Sequence, residues 1–311
     1  MLLLPFLFIS MQEKLPQAQT DYAPHFALIA VQICFGTLPV VGKVVLKTIP
    51  PVALVGFRVG ITALALFLFQ KYRGNLRLAE KKDYWRFFVL SLFGITLNQI
   101  LFVTGLSLTK ASNTSLLAVT IPIFTLSIGA IWGVERLRKL KIVGIILAAI
   151  GVVLLIDPRN ASFSSETTLG DLLVILNSLS YGIYVAVSKD TITRNGAIKS
   201  TAWIFIFGSL VCVPFGAYSL SAIDIFAVSW QIWLLVFYIA MVATLMPYLF
   251  NAFALARVNP SIVAVYIYLQ PLIGFCLAVI LLGEPIDLRV VFAALLIFAG
   301  VFLATKRNRP A

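Results

Sequence analysis

Charge is scarce in this chain of 311 residues. Only 12% of them are charged, against roughly a quarter in soluble domains, while 61% are apolar and the mean hydropathy is +1.02. No water-soluble fold of this size could hide so much apolar surface, so a helical membrane protein is the natural reading. Histidine occurs once, as His25. Cysteine occurs three times, as Cys34, Cys212 and Cys276, each alone in an apolar run. That pattern excludes a metal-ligand cluster and argues against a disulfide framework; the thiols read as small buried hydrophobes. Carboxylates number only 12, and none falls near the centre of an apolar run. A mid-membrane carboxylate is the usual handle for protons or sodium. Its absence argues against simple proton antiport and favours facilitated diffusion or exchange. Membrane catalysis would need paired carboxylates, a Ser/His arrangement or a metal at depth. None is there, so neither enzyme activity, cofactor nor metal is expected.

What fills the chain instead is long apolar runs. They lie at about 26–47, 50–70, 84–107, 111–131, 140–157, 169–189, 200–220, 230–255, 260–282 and 287–305, each near the length that crosses about 30 Å of hydrocarbon. The net charge of +12 does not mark a nucleic-acid binder, because the basic residues sit in short loops between runs. Most of them fall in alternate loops: Lys71, Arg73, Arg77, Lys81, Lys82 and Arg86 in one, Arg136, Arg138, Lys139 and Lys141 in another, and Lys306, Arg307 and Arg309 at the end. The positive-inside rule then puts both termini in the cytoplasm. Residues 1–25 read as a tail with no convincing signal peptide, and Met1 and Met11 are both candidate starts. Residues 158–168, rich in Ser and Thr, read as a linker, and 306–311 as a basic C-terminal tail.

A pattern recurs across that linker. Pro122, Glu135 and Gly151 return at the same spacings as Pro271, Glu284 and Gly300, an offset of 149. Phe35-Gly36 with Lys43 returns as Tyr181-Gly182 with Lys189, an offset of 146. The chain therefore divides into a first five-helix repeat, 26–157, and a second, 169–305. Five is odd, so the second copy enters the membrane upside down. The predicted fold is an all-α integral membrane protein with ten transmembrane helices in two inverted five-helix repeats. Inverted repeats are the architecture of alternating access.

The residues that carry this frame also carry a family resemblance. They are Phe35-Gly36 to Lys43, Pro51 to Arg58, the stretch 254–304 and its weaker copy 105–156. Over about 26–305 the chain resembles the drug/metabolite transporter superfamily, specifically the EamA-type ten-helix carriers. The resemblance implies a central path lined by helices one, three, four, six, eight and nine, with five and ten as buttresses. It implies substrates among small metabolites: amino acids, purines, drugs, sugar conjugates and organic phosphates. The bacterial inner membrane is the location it implies. Phe35 and Tyr181 stand where many members have Trp. Export or exchange of a small solute is thus expected. A flippase for lipid-linked substrates and a non-catalytic membrane scaffold are the competing readings, and no oligomeric state is legible.

Candidate site residues come from polar and aromatic groups at span centres. The amides are Gln32, Asn98, Gln99, Asn177, Asn251 and Gln270; in hydrocarbon each must find a partner or a water-filled cavity. Phe35, Tyr181, Tyr184, Tyr248 and Tyr266 supply stacking surface suited to planar or amphipathic ligands. Lys43 and Arg58 form a candidate anion-attracting pair at the outer mouth, with snorkelling to headgroups as the competing role. Pro122 and Pro271 are candidate hinges, because each frees a backbone carbonyl and permits a bend. Glu135 and Glu284 are expected to anchor helix ends at the interface beside Arg136 and Arg289. Gly144, Ala148 and Gly151 in the fifth run, and Ala293, Ala294 and Gly300 in the tenth, are small-residue faces suited to close helix packing.

Overall fold

The computed structural model describes residues 22–74, 76–156, 167–273 and 288–305. Among them every regular element is helical. The chain runs through α1 (Ala23–Val45), α2 (Pro51–Tyr72), α3 (Lys81–Leu108), a broken α4 (Ala111–Leu117 and Thr120–Ile131), α5 (Lys139–Ile156), α6 (Thr168–Asn195), α7 (Ala197–Leu220), α8 (Trp230–Leu255), α9 (Pro260–Ile273) and α10 (Leu288–Thr305). Of these, α1, α2, α3, α6, α7 and α8 are each long and apolar enough to cross a membrane. Glu284, Cys276, the basic C-terminal tail and most of the predicted linker lie outside the described residues.

Two of the runs are broken near the candidate hinges Pro122 and Pro271. The 111–131 run breaks at Ala118–Val119, and α9 narrows to a 3-10 turn at Tyr266–Tyr268. The cause lies four residues further on. Proline has no N–H to offer the carbonyl one turn back, and its ring crowds that carbonyl. For Pro122 that carbonyl belongs to Ala118, and for Pro271 to Ile267. The two breaks therefore recur at the repeat offset.

The long helices α3 and α8 carry a second matched irregularity. Each contains a π-helical segment, Leu92–Leu97 in α3 and Met241–Leu245 in α8. The segments start at positions separated by the same 149 that separates Pro122 from Pro271. Segments of this kind widen a helix locally and leave carbonyls short of donors. Pro247 adds to this in α8, since it cannot serve Ala243.

Helix pairing follows the small residues. The α5–α10 seam is antiparallel and close: a Cβ on Gly144 would lie 2.6 Å from the Ala304 nitrogen, one on Gly151 2.8 Å from Ile297, and one on Gly300 2.5 Å from the Ala148 nitrogen. Adding 149 to Gly151 and subtracting it from Ile297 turns one of these contacts into another, Gly300 on Ala148. An exchange of that kind is what a two-fold axis between the repeats would produce. The α2–α7 pair is also antiparallel. Gly56 meets Gly216 so closely that a Cβ on either would come within 2.8 Å of the other's Cα. Elsewhere α3 packs on α6 as α8 packs on α1, while α4 meets both α6 and α9.

Candidate functional site

Among these helices lies a cavity. Its wall brings together side chains from α1, α2, α3, α4, α6, α8 and α9, with Val152 from α5, a helix expected only as a buttress. From the predicted set it holds the amides Gln32, Asn98, Gln99, Asn177, Asn251 and Gln270. It also holds Phe35, Arg58, Tyr181 and Tyr248, and the predicted hinge Pro271.

Tyr248 is the hub of the wall. Its hydroxyl accepts from Gln99 Nε2 at 2.8 Å and lies 2.8 Å from the Gly94 carbonyl and 3.1 Å from Asn98 Oδ1. One phenolic proton is thus shared between two acceptors. The Gly94 carbonyl belongs to the π segment of α3, so the irregular helix supplies the acceptor. Phe35 and Phe205 meet the Tyr248 ring edge-on, with centroids 6.3 and 5.0 Å away. Nearby, Asn251 Nδ2 donates to the Tyr181 hydroxyl at 2.8 Å, and Asn177 Nδ2 to the Asn98 carbonyl at 2.8 Å. Gln270 Nε2 reaches the Phe35 carbonyl at 3.3 Å.

Arg58 does not snorkel. It is 1% exposed and points into the π segment of α8. Its Nε donates to Thr244 Oγ1 at 2.9 Å and its Nη2 to the Ala243 carbonyl at 3.2 Å. That carbonyl is the one Pro247 cannot serve. Thr244 in turn donates its hydroxyl proton to the Ile239 carbonyl, leaving oxygen lone pairs for the guanidinium. The two cations predicted for the outer mouth, Arg58 and Lys43, have separate hydrogen-bond partners. Lys43 Nζ donates to the Thr109 carbonyl at 2.7 Å, in the turn before α4.

Two predicted aromatics stand off the wall. Tyr184 is buried against Gly94, where a Cβ would come within 2.6 Å of its ring, and lies beside Tyr181 with a centroid distance of 5.8 Å. Tyr266 bonds His25 Nδ1 at 2.7 Å. His25 itself sits inside α1 rather than in the tail, because the helix begins at Ala23. Conversely, Phe102, Thr114 and Val119 line the cavity, although no sequence signal marked them as site residues, and so does Tyr268, an aromatic of the ninth run. Tyr268 was legible in principle: it is Val119 displaced by 149, and its hydroxyl donates to the Val119 carbonyl at 3.1 Å.

Polar clusters flank the cavity on two faces. On one, Asp83 takes Arg194 Nε at 3.0 Å and Asn195 Nδ2 at 2.8 Å. The same face holds Glu135, which is buried rather than anchored in headgroups. Its partner is Lys141, 2.6 Å away, not Arg136, and it also accepts from Ser261 N at 3.2 Å and Ser261 Oγ at 2.8 Å. Glu135 so caps the first turn of α9, where backbone N–H groups have no helical acceptor. On the other face Asp171 accepts from Thr109 Oγ1 at 2.6 Å and from Asn113 Nδ2 at 3.1 Å. Among the described residues no group of three or more His, Cys, Asp or Glu could hold a metal ion.

Comparison with known proteins meets this geometry from outside. The model of the EamA-like transporter family matches twice, over residues 23–157 and 168–306. The chain belongs to the EamA-like transporter family. An uncharacterized transporter of Archaeoglobus fulgidus is 27% identical over 86% of this chain and 91% of its own length. The uncharacterized transporter YoaV of Bacillus subtilis is 24% identical over 89% and 95%. A WAT1-related protein of Arabidopsis thaliana is 24% identical over 89% and 87%. A solved crystal structure shares the fold, with a TM-score of 0.72 at 19% identity, covering 91% of this chain and 96% of that one. Membership makes this a transporter, a membrane protein of the drug/metabolite type.

Proposed function

We propose that this EamA-family transporter moves small metabolites such as amino acids, purines or related solutes by alternating access, as an exporter or exchanger. It works in the cell inner membrane with both termini cytoplasmic, as ten helices in two inverted repeats, 26–157 and 169–305. The observation that carries the reading is the position of the cavity. Gln99 and Tyr248 are repeat mates and bond each other, as do Val119 and Tyr268. Two mates can touch only where the two-fold axis passes between them. Both pairs line the cavity, which supports a two-fold axis through it. A ligand held there is equally reachable from either side when the repeats exchange conformations. The matched proline breaks and matched π segments support the same reading. They give each repeat one discontinuous helix and one widened helix at the site, where a bend or rotation needs least repacking.

Counterflow in proteoliposomes tests this. Vesicles are loaded with pooled amino acids, purines and organic phosphates, and efflux is read by mass spectrometry with and without a pH gradient. Selective, gradient-independent exchange of one solute class is the expected result. Efflux that depends on the gradient would overturn the uncoupled mechanism, and no efflux of any solute would overturn the carrier reading.

A further inference from the structure

The repeats match in backbone but not in chemistry, and the largest mismatch is a buried charge. Gly60 corresponds to Gly208 between α2 and α7, which sets Arg58 against Ile206; the offset of 146 sets it against Ile204 instead. At the offset of 149 it is set against Phe207, so on every alignment the second repeat has an apolar side chain where the first has a guanidinium. Thr244 likewise stands at the repeat position of Ile95. One half therefore has an Arg–Thr pair where the other has apolar side chains.

That guanidinium is incompletely served. Arg58 lines the cavity, and its Nη1 is buried with no hydrogen-bond partner among the described residues. Its two other bonds go to neutral oxygens. None of the ion pairs among the described residues includes it. A buried charge without a counter-ion is expensive, and breaking or withholding its partner costs several-fold more than losing a neutral bond. Two acceptors on the same wall are orphaned as well: Gln32 Oε1 and Asn251 Oδ1 are buried without donors among the described residues.

We infer that the cavity selects solutes bearing one carboxylate together with N–H or O–H donors, with Arg58 as the residue that discriminates. This rests on the carrier reading above and narrows it to a charge class. The carboxylate completes the guanidinium through Nη1, while Gln32 and Asn251 accept from the donors at the other end of the solute. A phosphate dianion fits less well, since it would bring two charges to one cation. Aromatic rings of Tyr181, Tyr248 and Tyr268 leave room on the wall for a flat apolar body between the two ends.

The test uses three matched probes in proteoliposomes holding the full chain: 4-hydroxyphenylacetate, its neutral amide 4-hydroxyphenylacetamide, and the amine tyramine. Wild-type protein should take up the carboxylate roughly ten- to hundredfold faster than the amide, the weight of one charge-assisted hydrogen bond, and should exclude the amine. In Arg58→Gln the carboxylate-to-amide ratio should fall towards one, whereas Arg58→Lys should keep a reduced preference. Equal movement of carboxylate and amide by the wild type would overturn the selectivity while leaving the carrier intact. So would an unchanged ratio in Arg58→Gln. If none of the probes moves, binding to purified wild-type protein decides, by thermal shift with each probe. Stabilisation by the carboxylate alone supports the inference even with the carrier reading lost, and equal or absent stabilisation sinks both. The wild-type comparison stands whether or not the glutamine variant folds.

Discussion

Glu135 offers the sharpest test of how the structure is held. Its side chain is 4% exposed and that of Lys141 10%, so the pair is nearly out of water. Removing one partner strands the other charge, which in buried pairs costs about 3–5 kcal/mol. The site lies at the end of the helices rather than at mid-membrane, so the lower end of that range applies. Glu135→Gln keeps an acceptor for Ser261 but strands Lys141, and should cost about 3 kcal/mol. Lys141→Met strands the carboxylate, which still has Ser261 N and Oγ as donors, and should cost about 2 kcal/mol. Glu135→Gln combined with Lys141→Met leaves no stranded charge and should cost about 1 kcal/mol, giving a coupling near 4 kcal/mol. The assay is reversible unfolding in mixed detergent micelles, read by tryptophan fluorescence for all four proteins of the cycle. A coupling below about 0.5 kcal/mol would show the two side chains to be independent. It would return Glu135 to the headgroup-anchoring role that the sequence alone suggested.

Gly300→Leu should prevent close approach of α5 and α10, because even a Cβ would sit 2.5 Å from the Ala148 nitrogen and 2.6 Å from the Gly144 carbonyl. Overpacking of this kind costs about 1–3 kcal/mol or more, and the yield of monodisperse protein on size exclusion reports it. Tyr248→Phe removes a shared hydroxyl and should cost about 1 kcal/mol, given that bonds between membrane helices average about 0.6 kcal/mol. Its counterflow rate should fall by more than the stability loss explains; unchanged transport would show the hub to be structural only. Pro122→Ala restores an N–H for the Ala118 carbonyl, so α4 should become continuous and more stable. Amide exchange at Ala118–Val119 should slow in that variant while counterflow drops, and faster exchange would refute the proline explanation of the break.

Much of the helical arrangement is legible in the residues alone, and the reasons are local. Apolar runs mark helices because backbone groups in hydrocarbon must bond within their own segment. Pro122 and Pro271 carry their breaks in the sequence, since the missing N–H is a covalent fact. Mid-span amides are drawn towards the cavity by the same desolvation cost that makes them conspicuous in an apolar run: Gln32, Asn98, Gln99, Asn177, Asn251 and Gln270 all share one wall. The π segments at Leu92–Leu97 and Met241–Leu245 leave no such trace. One extra residue in a turn changes no hydropathy pattern.

Class, apolar runs, the duplicated frame and the polar groups that could not face lipid are all written in the residues. Tertiary structure alone decided which of those groups meet. Tyr184 and Tyr266 looked equivalent to Tyr181 and Tyr248 along the chain, yet packing against Gly94 and His25 took them off the wall. Arg58 found Thr244 and Ala243, 186 and 185 residues away, and Glu135 chose Lys141 and Ser261 over the adjacent Arg136. The physical reason is the solvent. A helix that is apolar all round can turn any face to lipid at little cost. Its rotation is therefore set by the few close contacts and hydrogen bonds it makes with other helices, and those exist only once the bundle has formed.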